Sequence, residues 1–206
     1  MTPVIPIPPA SADVLLEFVN MGVGRAARSL SELTNREVAI AVPTLELLNP
    51  TEYEQRSMMD CGISLRINQA FSGGMQGQAL LVLNRPGAIR LAHLLLGKSE
   101  GDDAFDDQEQ GALLELGNIV IGNVMGLLAS ELDAPVDFEL PQLQLRGITN
   151  FFELISDLPD TTAARLIIMR ASLAIKEDKI SGYIILVFPE TSLHRLIAKL
   201  ACLTNP

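Results

Sequence analysis

Shifted by 98 positions, the chain lies on itself without a gap, and this internal match limits what it can fold into. "LLEFVNMGVG" falls on "LLELGNIVIG", so that Leu15, Leu16, Glu17, Asn20, Gly24 and Leu30 meet Leu113, Leu114, Glu115, Asn118, Gly122 and Leu128. The same shift pairs Val38 with Val136, Pro43 with Pro141 and Leu45 with Leu143. Farther on, a shift of 105 pairs Gly77, Leu81, Val82, Arg90, Leu91 and Leu95 with Gly182, Leu186, Val187, Arg195, Leu196 and Leu200. The second half has therefore gained residues in its intervening strands or turns. A chain that repeats a unit in this way is expected to build a pseudo-two-fold symmetric fold.

Periodicity supplies the elements of that unit. Helical spacing begins near Asp13 and runs to about Leu33. "VAIAVP" predicts a strand from Val38 to Val42. Ile63, Leu65 and Ile67 alternate onto one face of a second strand, and "GQALLVL" reads as a more buried third. Pro86 sits in the first turn of a helix that stops at Gly97. The second half follows the same order. Asp106 and Glu109 are spaced for a capping box ahead of a long helix to about Leu132, then come strands in "PVDFELP", "ARLIIMRASLAI" and "SGYIILVF", and a closing helix. The fold class is thus α+β: an internal duplication of a helix–strands–helix unit, with one largely antiparallel sheet and helices packed on it. Residues 1–12 read as a Pro-rich flexible tail. Residues 13–206 form a single domain of two repeats, 13–98 and 106–203, joined by an acidic linker.

Composition removes several function classes. The net charge of −10 opposes binding to a nucleic-acid backbone or an anionic membrane, and aromatics at 4%, with no Trp, leave little for base or sugar stacking. The acid gathers in "SEGDDAFDDQEQ", a solvated linker or helix entry. Cys61 and Cys202 stand far apart, outside any metal spacing, and read as reduced, packed thiols. The uninterrupted apolar runs are strand-length and there is no signal-peptide pattern, so the chain reads as soluble and cytoplasmic. His93 and His194 occupy non-matching helix positions and carry no assigned role. Arg90 and Arg195 match between halves and suit structural contacts. Gly77 and Gly182 suit strand or turn geometry, and Met58, Met59, Met75, Met125 and Met169 read as core or interface filler.

What remains is the polar stripe inside two apolar helices. Residues three and four apart share a helix face, so Glu17, Asn20 and Gly24 form one stripe and Glu115, Asn118 and Gly122 another. Leu16, Val19 and Val23 turn to another side, suited to the core. Glycine inside a helix costs about 1 kcal/mol relative to alanine. Taken twice in one register, that loss fits a clearing that leaves the asparagine free to project into something that approaches closely. An amide has no useful pKa and cannot be a general base. It donates and accepts hydrogen bonds at once, and so can orient a water. A glutamate three residues away can hold a partner's cation. Orienting water for in-line attack suits phosphoryl hydrolysis, which depends mainly on positioning. The chain shows no phosphate loop or metal cluster, so both phosphate and metal fall to a partner.

Two helices of the pattern D/S-x-x-x-E-x-x-N, each with glycine four residues after the asparagine, resemble the CheC-type phosphatases of bacterial chemotaxis, a family that includes CheX and FliY. The resemblance covers nearly the whole chain after the Pro-rich tail. It implies hydrolysis of the phospho-aspartate of a CheY-like response regulator in two-component signalling, with Asn20 and Asn118 orienting the water. It also implies that Glu17 and Glu115 pair with the regulator's lysine, and that magnesium is held by the regulator rather than by this chain. Asp13, Gly24 and Gly122 are supporting residues in this reading. The second copy departs at the leading position, where Gly111 stands, and the first departs after its glycine, where Arg25 stands against Asn123. A CheD-like receptor deamidase is a second implied partner, although no residues here are assigned to it. The alternative is a non-catalytic binding module that sequesters a regulator or such a deamidase on the same face. A flagellar-switch component is a third reading.

Overall fold

A computed structural model describes residues 7–48, 64–98, 105–145, 164–175 and 178–204. Ile63, Cys61, Met58, Met59 and most of the acidic linker lie outside the described residues. Among the described residues, four helices and seven strands follow in the order α1 (Pro9–Thr34), β1 (Val38–Leu48), β2 (Ser64–Gly73), β3 (Gly77–Asn84), α2 (Arg85–Leu96), α3 (Asp107–Glu131), β4 (Val136–Phe138), β5 (Gln142–Gln144), β6 (Ala164–Ile175), β7 (Asp178–Pro189) and α4 (Glu190–Thr204).

All the described strands join one sheet in the order β1-β6-β7-β3-β2-β4, with β5 also on β2, and every pairing is antiparallel. The order reads the same from both edges once the halves are exchanged. β1 and the β4/β5 pair are the edges, β6 and β2 come next, and β7 meets β3 at the centre. The shift of 105 carries Leu80 onto Ile185, and these two residues are register partners across that central pair.

The core lies between the helices and one sheet face. Leu15, Val19, Val23 and Leu30 of α1, spaced by helical turns, join Leu113, Leu116, Val120 and Val124 of α3. Leu91 of α2, Leu196 of α4 and the sheet residues Leu65, Ile67, Phe71, Leu186 and Phe188 complete the same cluster. Each fully buried side chain of this size contributes about 1.5–3 kcal/mol. The two long helices cross closely at Gly22, where a Cβ would stand 2.7 Å from the Val124 Cα. The helix α3 is long and apolar enough to cross a bilayer, but 56% of that window is buried inside the fold.

Local chemistry accounts for the element ends. The helix α3 opens on the expected capping box of Asp106 and Glu109, and α2 ends at Gly97, whose φ of 68° suits glycine. Two boundaries differ from expectation. The helix α1 starts at Pro9 rather than near Asp13, because proline at the first helical position loses only an N–H that no helix bond uses. Residues 9–12 are therefore helix and not tail. The strand β1 continues past Val42 to Leu48, with Pro43 accommodated in a bulge. Cys202 is free but exposed rather than packed, and His194 is exposed while His93 is buried.

Candidate active site

Both edge strands carry one extra residue at equivalent places. On β1 the register steps from Ala41↔Ser172 to Thr44↔Arg170, leaving Val42 and Pro43 opposite Ala171 alone. On the other edge it steps from Phe71↔Phe138 to Asn68↔Gln142, leaving Glu139, Leu140 and Pro141 opposite Gln69 and Ala70. A bulge unpairs backbone groups from the ladder and kinks the strand. Each bulge holds the proline of its repeat, and each lies beside the asparagine of its repeat.

The first asparagine closes its bulge directly. Asn20 Oδ1 accepts from the Val42 N–H at 3.0 Å. Its Nδ2 donates to the Val42 carbonyl at 3.0 Å and to the Leu16 carbonyl at 3.0 Å. The amide thus replaces the ladder partner that the bulge removed from Val42, and Val42 is 1% exposed. Both amide protons of Asn20 are engaged. The expectation that the asparagine projects freely from α1 does not hold here, because a backbone 22 residues away takes its hydrogen bonds.

The second asparagine does not reach its strand. Gln69 stands between them: its Nε2 donates to Asn118 Oδ1 at 3.3 Å and to the Glu139 carbonyl at 3.0 Å. The Glu139 N–H in turn donates to the Ala70 carbonyl at 3.0 Å, pinning the bulge to β2. Leu140, the counterpart of the buried Val42, is left 87% exposed. Among the described residues, Asn118 Nδ2 has no acceptor, so both of its protons remain for an outside group.

The surrounding residues follow the same faces. Glu17, Asn20, Gly24, Glu115 and Asn118 are exposed, and Asp13 is exposed one turn before Glu17. Among the described residues, neither Glu17 nor Glu115 sits in an ion pair. A Cβ added at Gly24 or Gly122 would meet nothing within 4 Å, so neither glycine is required for packing. Gly111, at the leading position of the second copy, is also exposed to open space. Asn123 turns back on its own helix and donates to the Ile119 carbonyl at 2.8 Å.

Gln69 is the residue that sequence reasoning passed over. It is 3% exposed and sits in the core-facing row of β2 between Ile67 and Phe71. A glutamine interrupting the alternation of Leu65, Ile67 and Phe71 is the signal that could have found it. Chemically, the α3 site offers two N–H donors held in one direction, with a carboxylate one turn away. It can orient a small polar molecule and grip a cation.

Two family models match parts of this chain. The family model for the CheC-like family matches residues 11–47, and that for chemotaxis phosphatase CheX matches residues 67–147. The chain is similar to the flagellar motor switch phosphatase FliY of Bacillus subtilis, 23% identical over 139 residues that span 66% of this chain and 36% of that protein. It is also similar to the CheY-P phosphatase CheC of the same organism, 27% identical over 140 residues that span 65% of each. The chain thus spans about a third of the one relative and under two thirds of the other. Among solved structures, Thermotoga maritima FliY matches with a TM-score of 0.76 at 19% identity, covering 96% of this chain and 98% of that one. The CheX–CheY–BeF3–Mg complex of Borrelia burgdorferi matches with a TM-score of 0.52 at 15% identity, covering 84% and 99%. The CheC-like model thus falls on the first motif copy and the CheX model on the second.

Proposed function

We propose that this chain hydrolyses the phospho-aspartate of a CheY-like response regulator, and that the working site is the one on α3. The observation that carries the reading is the unengaged Nδ2 of Asn118 on an exposed face, one turn after an exposed glutamate. The matches to the CheC-like and CheX family models support it, as does the solved neighbour in which a CheX is joined to CheY. In this mechanism the regulator brings the phosphoryl group and its magnesium. Glu115 pairs with a regulator lysine and fixes the docking. Asn118 donates to a water oxygen and holds it in line with the phosphorus, leaving another lone pair for attack. Positioning of this kind is the main lever on phosphoryl transfer.

The α1 copy supports a second reading at its own face. There the amide is engaged by Val42, and Glu17 alone stands ready for a partner. That face binds without turnover, and sequestration of a regulator or of a CheD-like deamidase would use it. One experiment tests both readings. An aspartyl-phosphorylated chemotaxis regulator is mixed with wild type, Asn20→Ala, Asn118→Ala and the double variant, in magnesium, and phosphate release is followed. Loss of acceleration in Asn118→Ala is expected. Wild-type protein that binds the regulator but leaves the decay rate unchanged sinks the enzyme reading in favour of the binding module.

A further inference from the structure

We infer that Gln69 is a positioning residue for the α3 site: it sets which way round the Asn118 amide faces. This rests on the proposed role of Asn118 and extends it to a residue on a different element. The side chain of Gln69 is nearly fully buried, and its orientation is fixed by the Glu139 carbonyl, which requires an N–H donor at 3.0 Å. The same Nε2 then reaches Asn118 at 3.3 Å and can be satisfied only by an acceptor. Asn118 therefore presents its Oδ1 inward and its two N–H groups outward. A flipped Asn118 would set donor against donor.

A second observation marks Gln69 as more than filler. Among the described residues, its buried Oε1 has no hydrogen-bond partner. A buried, unpaired polar atom costs stability, and an apolar residue of similar size at this position in the core row would avoid that cost. The first half shows the alternative solution. Opposite the β1 bulge stands Ala171, and Asn20 bonds straight to the strand. In the second half Gln69 stands between the asparagine and the bulge, and the asparagine's donors stay free. The asparagines are matched, yet one bonds the strand backbone directly and the other meets Gln69 first.

The test uses the full chain with an aspartyl-phosphorylated chemotaxis regulator in magnesium, and compares Gln69→Leu, Gln69→Glu and Asn118→Ala. Gln69→Leu keeps volume and removes the donor. It should lower kcat about fivefold, the rate equivalent of one neutral hydrogen bond of ~1 kcal/mol, with KM unchanged. Gln69→Glu offers an acceptor where a donor is needed and should turn the Asn118 amide over, for a larger loss of kcat. In an Asn118→Ala background neither Gln69 change should matter, a silence that a merely structural role would not produce. The side-chain amide signals of Asn118 in a proton–nitrogen NMR spectrum should shift in Gln69→Leu whatever the activity. Wild-type kcat in Gln69→Leu beside an inactive Asn118→Ala overturns this inference and leaves the proposed function standing. An active Asn118→Ala overturns the proposed function, and unmoved Asn118 amide signals in Gln69→Leu overturn the positioning role independently.

Discussion

On the α1 side of the molecule, Asn20 reaches the bulge of β1 and takes both backbone groups of Val42. On the α3 side, Asn118 stops at Gln69, and the matching leucine of the bulge, Leu140, stays in solvent. The same residue type, at the same place in the same helix pattern, serves as a strut in one half and presents free donors in the other. Matched sequence positions therefore predict matched placement without predicting matched hydrogen bonding. What each amide can offer an outside group is decided here by whether a nearby backbone has already claimed it.

The largest effect should come from exchanging alanine for each asparagine. Asn118→Ala is expected to lower the rate of regulator dephosphorylation about 100-fold, the scale of lost positioning at a reacting centre, with little change in melting temperature. Asn20→Ala should do the reverse. It leaves the Val42 N–H and carbonyl without their side-chain partner, which costs about 1–3 kcal/mol and lowers Tm by roughly 2–4 °C per kcal/mol in a chain of this size. Phosphate-release assays and thermal melts on the two variants check this. Equal losses of rate in both would break the comparison.

The glycines extend it to packing. Gly22 lies at the crossing of α1 and α3, where an added Cβ would press on the Val124 backbone, so Gly22→Ala should cost about 1–3 kcal/mol through overpacking. Gly122 faces open space. Gly122→Ala should therefore raise stability by up to about 1 kcal/mol through helix propensity, while weakening association with a regulator if the clearing admits the docking surface. Urea unfolding and a binding titration separate the two effects. A Gly122→Ala variant with unchanged affinity would remove the glycine from the site.

Much of the fold was legible because it is set by local pattern. The apolar spacing of Val19 and Val23 and the Asp106–Glu109 box each lie within a few turns of chain, and the repeat supplied the pairing of the two halves, although Leu16, grouped with that core face, is half-buried and Leu15 takes the core position. The exposed faces of Glu17, Asn20, Glu115 and Asn118 followed from the same periodicity. The misses are all tertiary or depend on what proline tolerates. Pro9 and Pro43 looked like barriers, yet one sits where no N–H is needed and the other sits in a bulge. The engagement of Asn20 by Val42 depends on a strand register that helix spacing cannot reveal. Gln69 is 49 positions from Asn118, and only the α3–β2 contact brings them together. Gly22 and Gly24 look alike in "NMGVG", although one is required by a neighbouring backbone and the other is not.

The helix starts give the smallest contrast, and it depends on pH. The helix α1 opens at Pro8 with no side-chain cap, so its first turn holds no titrating group. The helix α3 opens on Glu109, which is 1% exposed and accepts from the Asp106 N–H at 3.1 Å and from Lys98 Nζ at 2.6 Å. His93 Nε2 lies 3.6 Å from the same carboxylate. Hydrogen bonding with Asp106, and then the Lys98 ammonium, lowers the Glu109 carboxyl from its ordinary 4.5 to about 2. A carboxyl with a depressed pKa in the folded state stabilises fully above its unfolded value and loses that contribution as pH falls from 4.5 toward 2. Acid should thus loosen the first turn of α3 before that of α1. Hydrogen exchange measured between about pH 5 and about pH 3 should show α3 protection falling relative to α1 in wild type. Glu109→Gln should start with a weaker α3 and show a flatter dependence over the same window. A constant gap between wild type and Glu109→Gln across that range would mean that the buried carboxylate contributes no pH-dependent stability, and that the two helix starts differ only in geometry.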